Sequence, residues 1–285
     1  MKSKKIKMKR HESFYIREGW LVKALHSIQN TKDISRVFSV TEGSRLLGIG
    51  TNMVKSLKYW VIATSLIKEE GRSFSLTDFA KVILKYDGYL EDDFSLWFLH
   101  YHLITNDEAL LFNLFFNNNL KIFSKESMIN NLIRELDIRE KDYNENLLLD
   151  EVNVIIKTYV IDEKNTNPEN NFICPFSDLK LIKKINKIDF EKIKPKMKQL
   201  DPLVIYYSIQ QLMEENNYIS LDELIKVDNS PVKLFNLDKN MLYDYLDVLK
   251  NKSLITINKT AGINIIYLNE ILTLEDLFKK YYGGV

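Results

Sequence analysis

Val40-Thr-Glu-Gly-Ser-Arg45-Leu-Leu-Gly48-Ile-Gly50-Thr51-Asn52-Met-Val54 spells a short helix, a tight Gly-x-Gly turn and the start of a second helix. Thr51 is an N-cap type of residue, and the helix it caps runs to about Ala63 with Val54, Leu57 and Val61 as its buried stripe. Helix, glycine turn and capped helix make a helix-turn-helix, whose second helix meets the major groove of DNA through its N-terminal residues. Thr51, Asn52, Lys55 and Tyr59 face away from the stripe, Lys58 lies beside them, and Arg45 sits on the preceding helix. Hydroxyl, amide and cationic groups of this kind suit phosphates and base edges.

On the C-terminal side, Lys68-Glu-Glu-Gly71-Arg72-Ser73-Phe74-Ser75-Leu76 reads as two short strands around a polar glycine tip, and Thr77 caps a further helix through Tyr86. That hairpin is a wing, so residues 11–86 are expected to form a winged helix, with Lys68 and Arg72 placed to straddle a flanking backbone. Winged helices also dock proteins, because fold alone does not fix function. On the N-terminal side, Phe14, Trp20, Leu21, Ala24, Leu25 and Ile28 have helical spacing from about Glu18 onwards.

Residues 196–285 repeat this grammar. Leu203 to Met213 is a helix, Leu221 to Val227 a shorter one, and Asp238 caps a third that carries Met241, Leu242, Tyr245, Leu246 and Leu249. Leu254-Ile-Thr-Ile257 and Asn264-Ile-Ile-Tyr-Leu268 then form a hairpin through Lys259-Thr-Ala-Gly262. Asp238, Asp244 and Asp247 on the third helix would repel phosphates, so this copy is expected to pack or to contact protein. Between the two lies a region, 87–195, expected to be helical. It holds the aromatic run Phe94, Trp97, Phe98, Tyr101, a helix capped by Ser124, a later helix over Leu148 to Tyr159, and a polar loop at 162–171. The fold class is therefore mainly α, with winged-helix modules at both ends and a helical middle, preceded by a basic flexible tail at 1–10.

With 45% hydrophobic and 28% charged residues in 285, the chain can bury a core divided between two domains or three small ones. Its 9 glycines are too few for a glycine-punctuated nucleotide fold. A single cysteine among 285 residues points to a reducing cytoplasm and excludes a disulfide framework or a cysteine zinc site. No apolar run is long enough to span a membrane, and Met1 to Arg10 leads into no signal-peptide core.

The near-neutral net charge of +1 conceals a partition. Residues 1–86 hold 17 Lys or Arg against 7 Asp or Glu, whereas 87–195 hold 13 against 20 and 196–285 hold 10 against 12. A positive lobe on a balanced chain suits a polyanion, since neutralised phosphates release counterions. The plainer alternative is a solvated face, because six of the cations lie in the first ten residues.

Three blocks carry a family resemblance: His11-Glu-Ser-Phe14-Tyr-Ile-Arg17-Glu18-Gly19-Trp20-Leu21-Val-Lys23; Leu47-Gly48-Ile-Gly50-Thr-Asn52-Met53-Val54-Lys55-Ser-Leu-Lys-Tyr59-Trp60; and Leu90-Glu91-Asp92 with Leu96-Trp97-Phe-Leu99-His100-Tyr101. Together they resemble the bacterial domain of unknown function DUF4007, and the likeness extends through Asp150-Glu-Val and Tyr159 to Cys174-Pro175-Phe176 and Leu179-Lys-Leu181-Ile182. The resemblance implies an accessory protein encoded beside DNA phosphorothioation genes, near a sulfurtransferase similar to PAPS reductases and a cysteine desulfurase, with a role in defence. It supplies no catalytic residues.

Given such sulfur-handling neighbours, Cys174, followed by proline and by Lys180, Lys183 and Lys184, is a candidate persulfide acceptor; the commoner state of a lone cysteine is an inert buried one. His100 and His102 lie about 200° apart on a helix, which separates them from any shared metal, and His100 suits a hydrogen-bonded core position. Glu91, Asp92 and Asp93 are expected to favour a helix N-terminus. No phosphate-binding loop, nucleophile elbow or paired zinc-ligand motif occurs, so no cofactor and no enzymatic activity are expected. The resulting expectation is a DNA-binding accessory protein acting through Arg45, Thr51, Asn52, Lys55, Lys58, Tyr59, Lys68 and Arg72, with the acidic remainder docking modification or defence proteins. The alternative is an adaptor that scaffolds the sulfurtransferase and desulfurase without touching DNA.

Overall fold

The N-terminal module consists of α1 (Trp20–Gln29), α2 (Ile34–Val37), α3 (Val40–Leu47), α4 (Thr51–Ala63), the hairpin β1 (Ile67–Glu70) and β2 (Ser73–Leu76), and α5 (Asp78–Tyr86). The computed structural model describes residues 5–71, 73–160, 173–213, 216–260 and 263–283. Arg72 and the 162–171 loop therefore lie outside the described residues.

Local chemistry explains the module's corners. Ser39 accepts from the Glu42 amide to start α3, and Gly48 ends it in the left-handed region at φ 63°, where only glycine is unstrained. Gly43 is required for packing: a Cβ there would lie 2.4 Å from the Val37 carbonyl oxygen and 2.9 Å from Val54 Cγ1. The N-cap of α4 is Gly50 and Thr51 is the first helical residue, so Thr51 caps nothing. Thr77 does cap α5, accepting from the Ala80 amide.

Next comes α6 (Asp93–Thr105), capped by Asp92, which buries ten of its 13 residues. A helix apolar on every side must be enclosed on every side. It is followed by α7 (Leu110–Asn117), β3 (Ile122–Ser124), α8 (Lys125–Ile138), α9 (Leu148–Tyr159), β4 (Ile182–Lys184) and β5 (Asp189–Lys192). The C-terminal module is α10 (Pro202–Leu212), β6 (Tyr218–Ser220), α11 (Leu221–Lys226), α12 (Pro231–Leu234), α13 (Lys239–Asn251), β7 (Ile255–Thr260), β8 (Ile263–Leu268) and α14 (Leu274–Tyr282).

Helices dominate, and the sheets are small and antiparallel. The middle, however, is not purely helical: β3, β5 and β4 form a sheet in that order. The C-terminal sheet has the matching order β6, β8, β7. In both, a strand after the module's first long helix pairs with the second arm of a later hairpin, whose first arm takes the outer edge. The middle and C-terminal sheets thus share one strand order.

Boundaries drawn on sequence do not divide the interior, because the buried apolar residues form one cluster from Ile16 to Phe278. Trp97 Nε1 on α6 donates to the Gln199 carbonyl at 2.6 Å, and the Phe94 ring stacks on Tyr281 at 3.9 Å. α14 returns to α5, where Tyr86 donates to Glu275 at 2.8 Å. Nor do residues 5–10 behave as a free tail. The Ile6 amide donates to the Asp142 carbonyl at 2.9 Å, Lys9 pairs with Asp150 at 3.0 Å, and Arg10 pairs with Glu108. His11 Nδ1 accepts from the Ser13 amide, which leaves Nε2–H to donate to Glu151 at 2.8 Å. Residues 1–4 lie outside the described residues.

Candidate nucleic-acid interface

The first turn of α4 stands at the surface. Thr51, Asn52 and Lys55 are exposed, as is Arg45 on α3. Gly50 brings no side chain to cap the helix, and the first turn contains no acidic residue. Free amide groups and the positive end of the helix dipole therefore meet solvent at this turn. Lys55 Nζ donates to Asn52 Oδ1 at 3.3 Å, which orients both side chains beside the helix start. Among the described residues neither Arg45 nor Lys55 has a carboxylate within salt-bridge distance. Arg36, by contrast, is occupied by Glu42, with which it makes bonds of 2.6 and 3.2 Å.

The remaining sequence-chosen positions diverge from this cluster. Lys58 is turned to the hairpin, 4.4 Å from the Phe74 ring centroid and 3.9 Å from Glu69. Lys68 pairs with Glu70 at 2.7 Å, a hydrogen bond that holds the lysine above and the glutamate below their ordinary pKa ranges. Tyr59 does not face a groove at all: it is 5% exposed, with Arg10 over its ring at 5.7 Å and burial pushing its hydroxyl well up. The α4 stripe accounts for Val54, Leu57 and Val61, but the second half of the helix is covered from other directions as well, with Trp60 edge-on to Phe112 at 5.8 Å. Eight of the 13 α4 residues are buried, so only its start is open. Arg72 lies outside the described residues.

Cys174 does not qualify as a persulfide acceptor. It is 3% exposed, and burial pushes its thiol well above the ordinary range, whereas sulfur transfer needs an accessible thiolate. His100 occupies the core position expected of it. It accepts from the Tyr159 hydroxyl at 2.8 Å, donates to the Leu234 carbonyl at 3.0 Å, and is pushed down to about 3 by burial.

Two clefts escaped the sequence reading. One, of about 620 Å³, is lined by Asp87, Glu91, Asp92, Asp93, Asp201 and Tyr281. Burial raises Asp93 and Asp201 above the usual carboxylate range, and Asp178 and Asp92 add to the effect at Asp93. Asp92 is committed to capping α6 and to accepting from Tyr281 at 3.1 Å. The other cleft, about 510 Å³, lies beside Lys192, whose buried ammonium is pushed down to about 7 by desolvation while donating to the Phe115 and Asn118 carbonyls at 2.6 and 3.1 Å. Among the described residues no three His, Cys, Asp or Glu side chains converge on a metal-sized site. No helix among them is long and apolar enough to cross a membrane.

The chain belongs to the family described as "Protein of unknown function (DUF4007)", whose profile matches residues 8–282. No curated protein matches it. Two solved structures share its fold. The magnesium ion-bound SspB crystal structure superposes with a TM-score of 0.83 at 22% identity, covering 99% of this chain and 88% of the other. A second SspB crystal structure gives 0.80 at 21% identity with the same coverage.

Proposed function

We propose that this protein is a non-enzymatic, DNA-binding accessory factor of a DNA phosphorothioation and defence system, and that its end modules are winged helices. The observation that carries the reading is the exposed, uncapped first turn of α4, where Asn52 and Lys55 stand at the positive end of the helix with Arg45 on the helix before it. In a helix-turn-helix these are the positions that reach phosphates and base edges. Tyr59 has no part in the contact, and Lys58 and Lys68 lie at its margin, each with an acidic neighbour. The family membership and the likeness to SspB support the defence setting. The rest of the surface would dock modification or defence proteins, such as a sulfurtransferase similar to PAPS reductases.

Fluorescence anisotropy with matched plain and phosphorothioated duplexes over a salt series tests the reading. Binding should weaken steeply with salt, and Arg45→Glu with Lys55→Glu should lower affinity at least about tenfold, since each reversal removes a phosphate contact and adds repulsion. A preference for the sulfur duplex would make the protein a reader of the modification. Binding that ignores both salt and the double substitution would remove the proposal. Because one similar structure is described as magnesium ion-bound, supercoiled plasmid is also incubated with protein and magnesium. Strand cleavage that persists on repurification would overturn the non-enzymatic part.

A second reading, an adaptor that holds a sulfurtransferase and a cysteine desulfurase without binding DNA, is favoured by α13. Its exposed Tyr243, Asp244 and Asp247 form an aromatic and acidic face suited to protein. Retention of such enzymes together with no duplex binding at low salt would select it.

A further inference from the structure

β4 and β5 are joined by Ile185-Asn186-Lys187-Ile188, and this tip is fixed in shape. Asn186 Oδ1 accepts from the Ile188 and Asp189 amides, each at 2.8 Å, and Asn186 Nδ2 donates to Asp189 Oδ2 at 2.8 Å. The Ile185 amide closes the turn onto the Asp189 carbonyl at 2.9 Å. A turn held so firmly could have tucked its apolar side chains inward, yet Ile188 is 67% and Ile185 46% exposed. Lys183 is paired with Glu191 at 2.9 Å, but the exposed Lys184 and Lys187 have no carboxylate within 4.0 Å among the described residues. The tip therefore presents two bare isoleucines, with the free cation Lys184 before the first and Lys187 between them, while Asp189, which follows the second, is held by Asn186.

The rest of the middle module explains why this hairpin is what it offers. Its sheet has the strand order of the C-terminal sheet, and α9 is its last α-helix before the hairpin, as α13 is there. But α9 buries eight of its 12 residues, Glu151 included, and cannot enter a groove. What projects is the β4–β5 hairpin.

We propose that the β4–β5 tip is a second DNA-contacting element that seats in the minor groove, with Ile185 and Ile188 against the sugar walls and Lys184 and Lys187 on the bordering phosphates. The groove offers sugar surface to apolar side chains and phosphates to cations, the two kinds of group that alternate along Lys184, Ile185, Lys187 and Ile188, and minor-groove proteins use isoleucine among their apolar wedges. A bilayer is the poorer occupant, because two side chains bury far less apolar area than an interfacial helix. The proposal rests on the reading that the chain binds duplex DNA, and it adds a site remote in sequence from α4.

The full-length protein is titrated with an A·T-rich duplex over a salt series, with and without the minor-groove ligand netropsin. Ile185→Ser with Ile188→Ser, both exposed and safe for folding, should bind several-fold more weakly and lose sensitivity to netropsin. Lys184→Glu with Lys187→Glu should flatten the log–log salt slope by about 1.8, two phosphate contacts' worth. If both double variants match the wild type while Arg45→Glu with Lys55→Glu fails to bind, the hairpin proposal is overturned and the α4 reading stands. If the hairpin variants fail and the α4 variant binds normally, the hairpin is upheld and the α4 assignment falls. Absence of wild-type binding to any duplex overturns both. So does capture by phosphatidylserine vesicles alone, lost in the hairpin variants, which would assign the tip to a membrane surface.

Discussion

α4 and α13 are each 13 residues long and each is the last helix before a hairpin, yet they present opposite surfaces. α4 buries eight residues and leaves open a first turn with no acid and no side-chain cap. α13 buries five, is capped by Asp238 accepting from the Met241 amide at 2.9 Å, and exposes Asp244 and Asp247 along its length. Lys194 pairs with Asp238 at 2.5 Å and holds that carboxyl below its usual range, so even the α13 start is anionic chemistry already satisfied. A shared order of elements sets where a helix stands, and the residues on its open face decide what can meet it.

The contrast is sharp only if the two modules belong to one folding unit, and Trp97 tests that first. Fully buried on α6 and bonded to the Gln199 carbonyl, it ties the helix to the segment leading into α10. Trp97→Ala should cost about 3–5 kcal/mol and lower the urea midpoint of the whole protein in a single transition. Two separated transitions, one of them unmoved, would show that the modules fold independently.

Acid is expected to loosen both modules together through the same helix. Burial pushes His100 and His102 down to about 3, whereas in the unfolded chain they protonate near 6.5. Their contribution is therefore fully present above about pH 6.5 and lost as pH falls towards 3, at about 1.4 kcal/mol per unit for each. Urea midpoints measured from pH 7 to 5 should decline. His102→Phe should remove about half of the histidine part of that decline, since His102 packs against Phe79 with ring centroids 4.2 Å apart and its Nε2 has no hydrogen-bond partner. A flat profile would mean that water reaches α6.

Charge substitutions address the helices themselves. Arg45→Glu with Lys55→Glu should weaken duplex binding at least about tenfold, or about 1.4 kcal/mol. Asp244→Asn with Asp247→Asn on α13 should shift stability by no more than about 0.5 kcal/mol and leave DNA affinity unchanged in the same titration. Equal effects from the two pairs would erase the functional difference between the helices.

Residues whose partners lie close in sequence could be read directly. Thr77, Ser124 and Asp238 each accept from an amide three positions on, and the long alternating strands β7 and β8 advertise their hairpin. Where partners come from afar, the sequence misled. β3, β4 and β5 are three or four residues long and contain Lys183, Lys184, Glu191 and Lys192, so neither length nor periodicity marks them as strands. Lys192 tolerates its interior position because its ammonium donates hydrogen bonds to the carbonyls at the end of α7. Tyr59 looks surface-facing on a helical wheel, which cannot show Arg10 or Phe112 closing over that part of α4. Of the proposed contact residues, Arg45, Thr51, Asn52, Lys55 and Lys68 keep the exposure assigned to them; for Thr51, Asn52 and Lys55 the reason is that the first turn of a helix has few neighbours to hide it.

The docking of residues 5–11 also fixes an order of events during synthesis. His11 and Glu151 are 140 positions apart, and Ile6 needs the Asp142 carbonyl. A ribosome releases the N-terminal segment long before it makes α9, so the nascent chain carries that basic segment undocked while the first module is being completed. Closing it down is a late step that waits for the middle of the protein to arrive, and a release of translation before α9 would leave a product with its cations exposed.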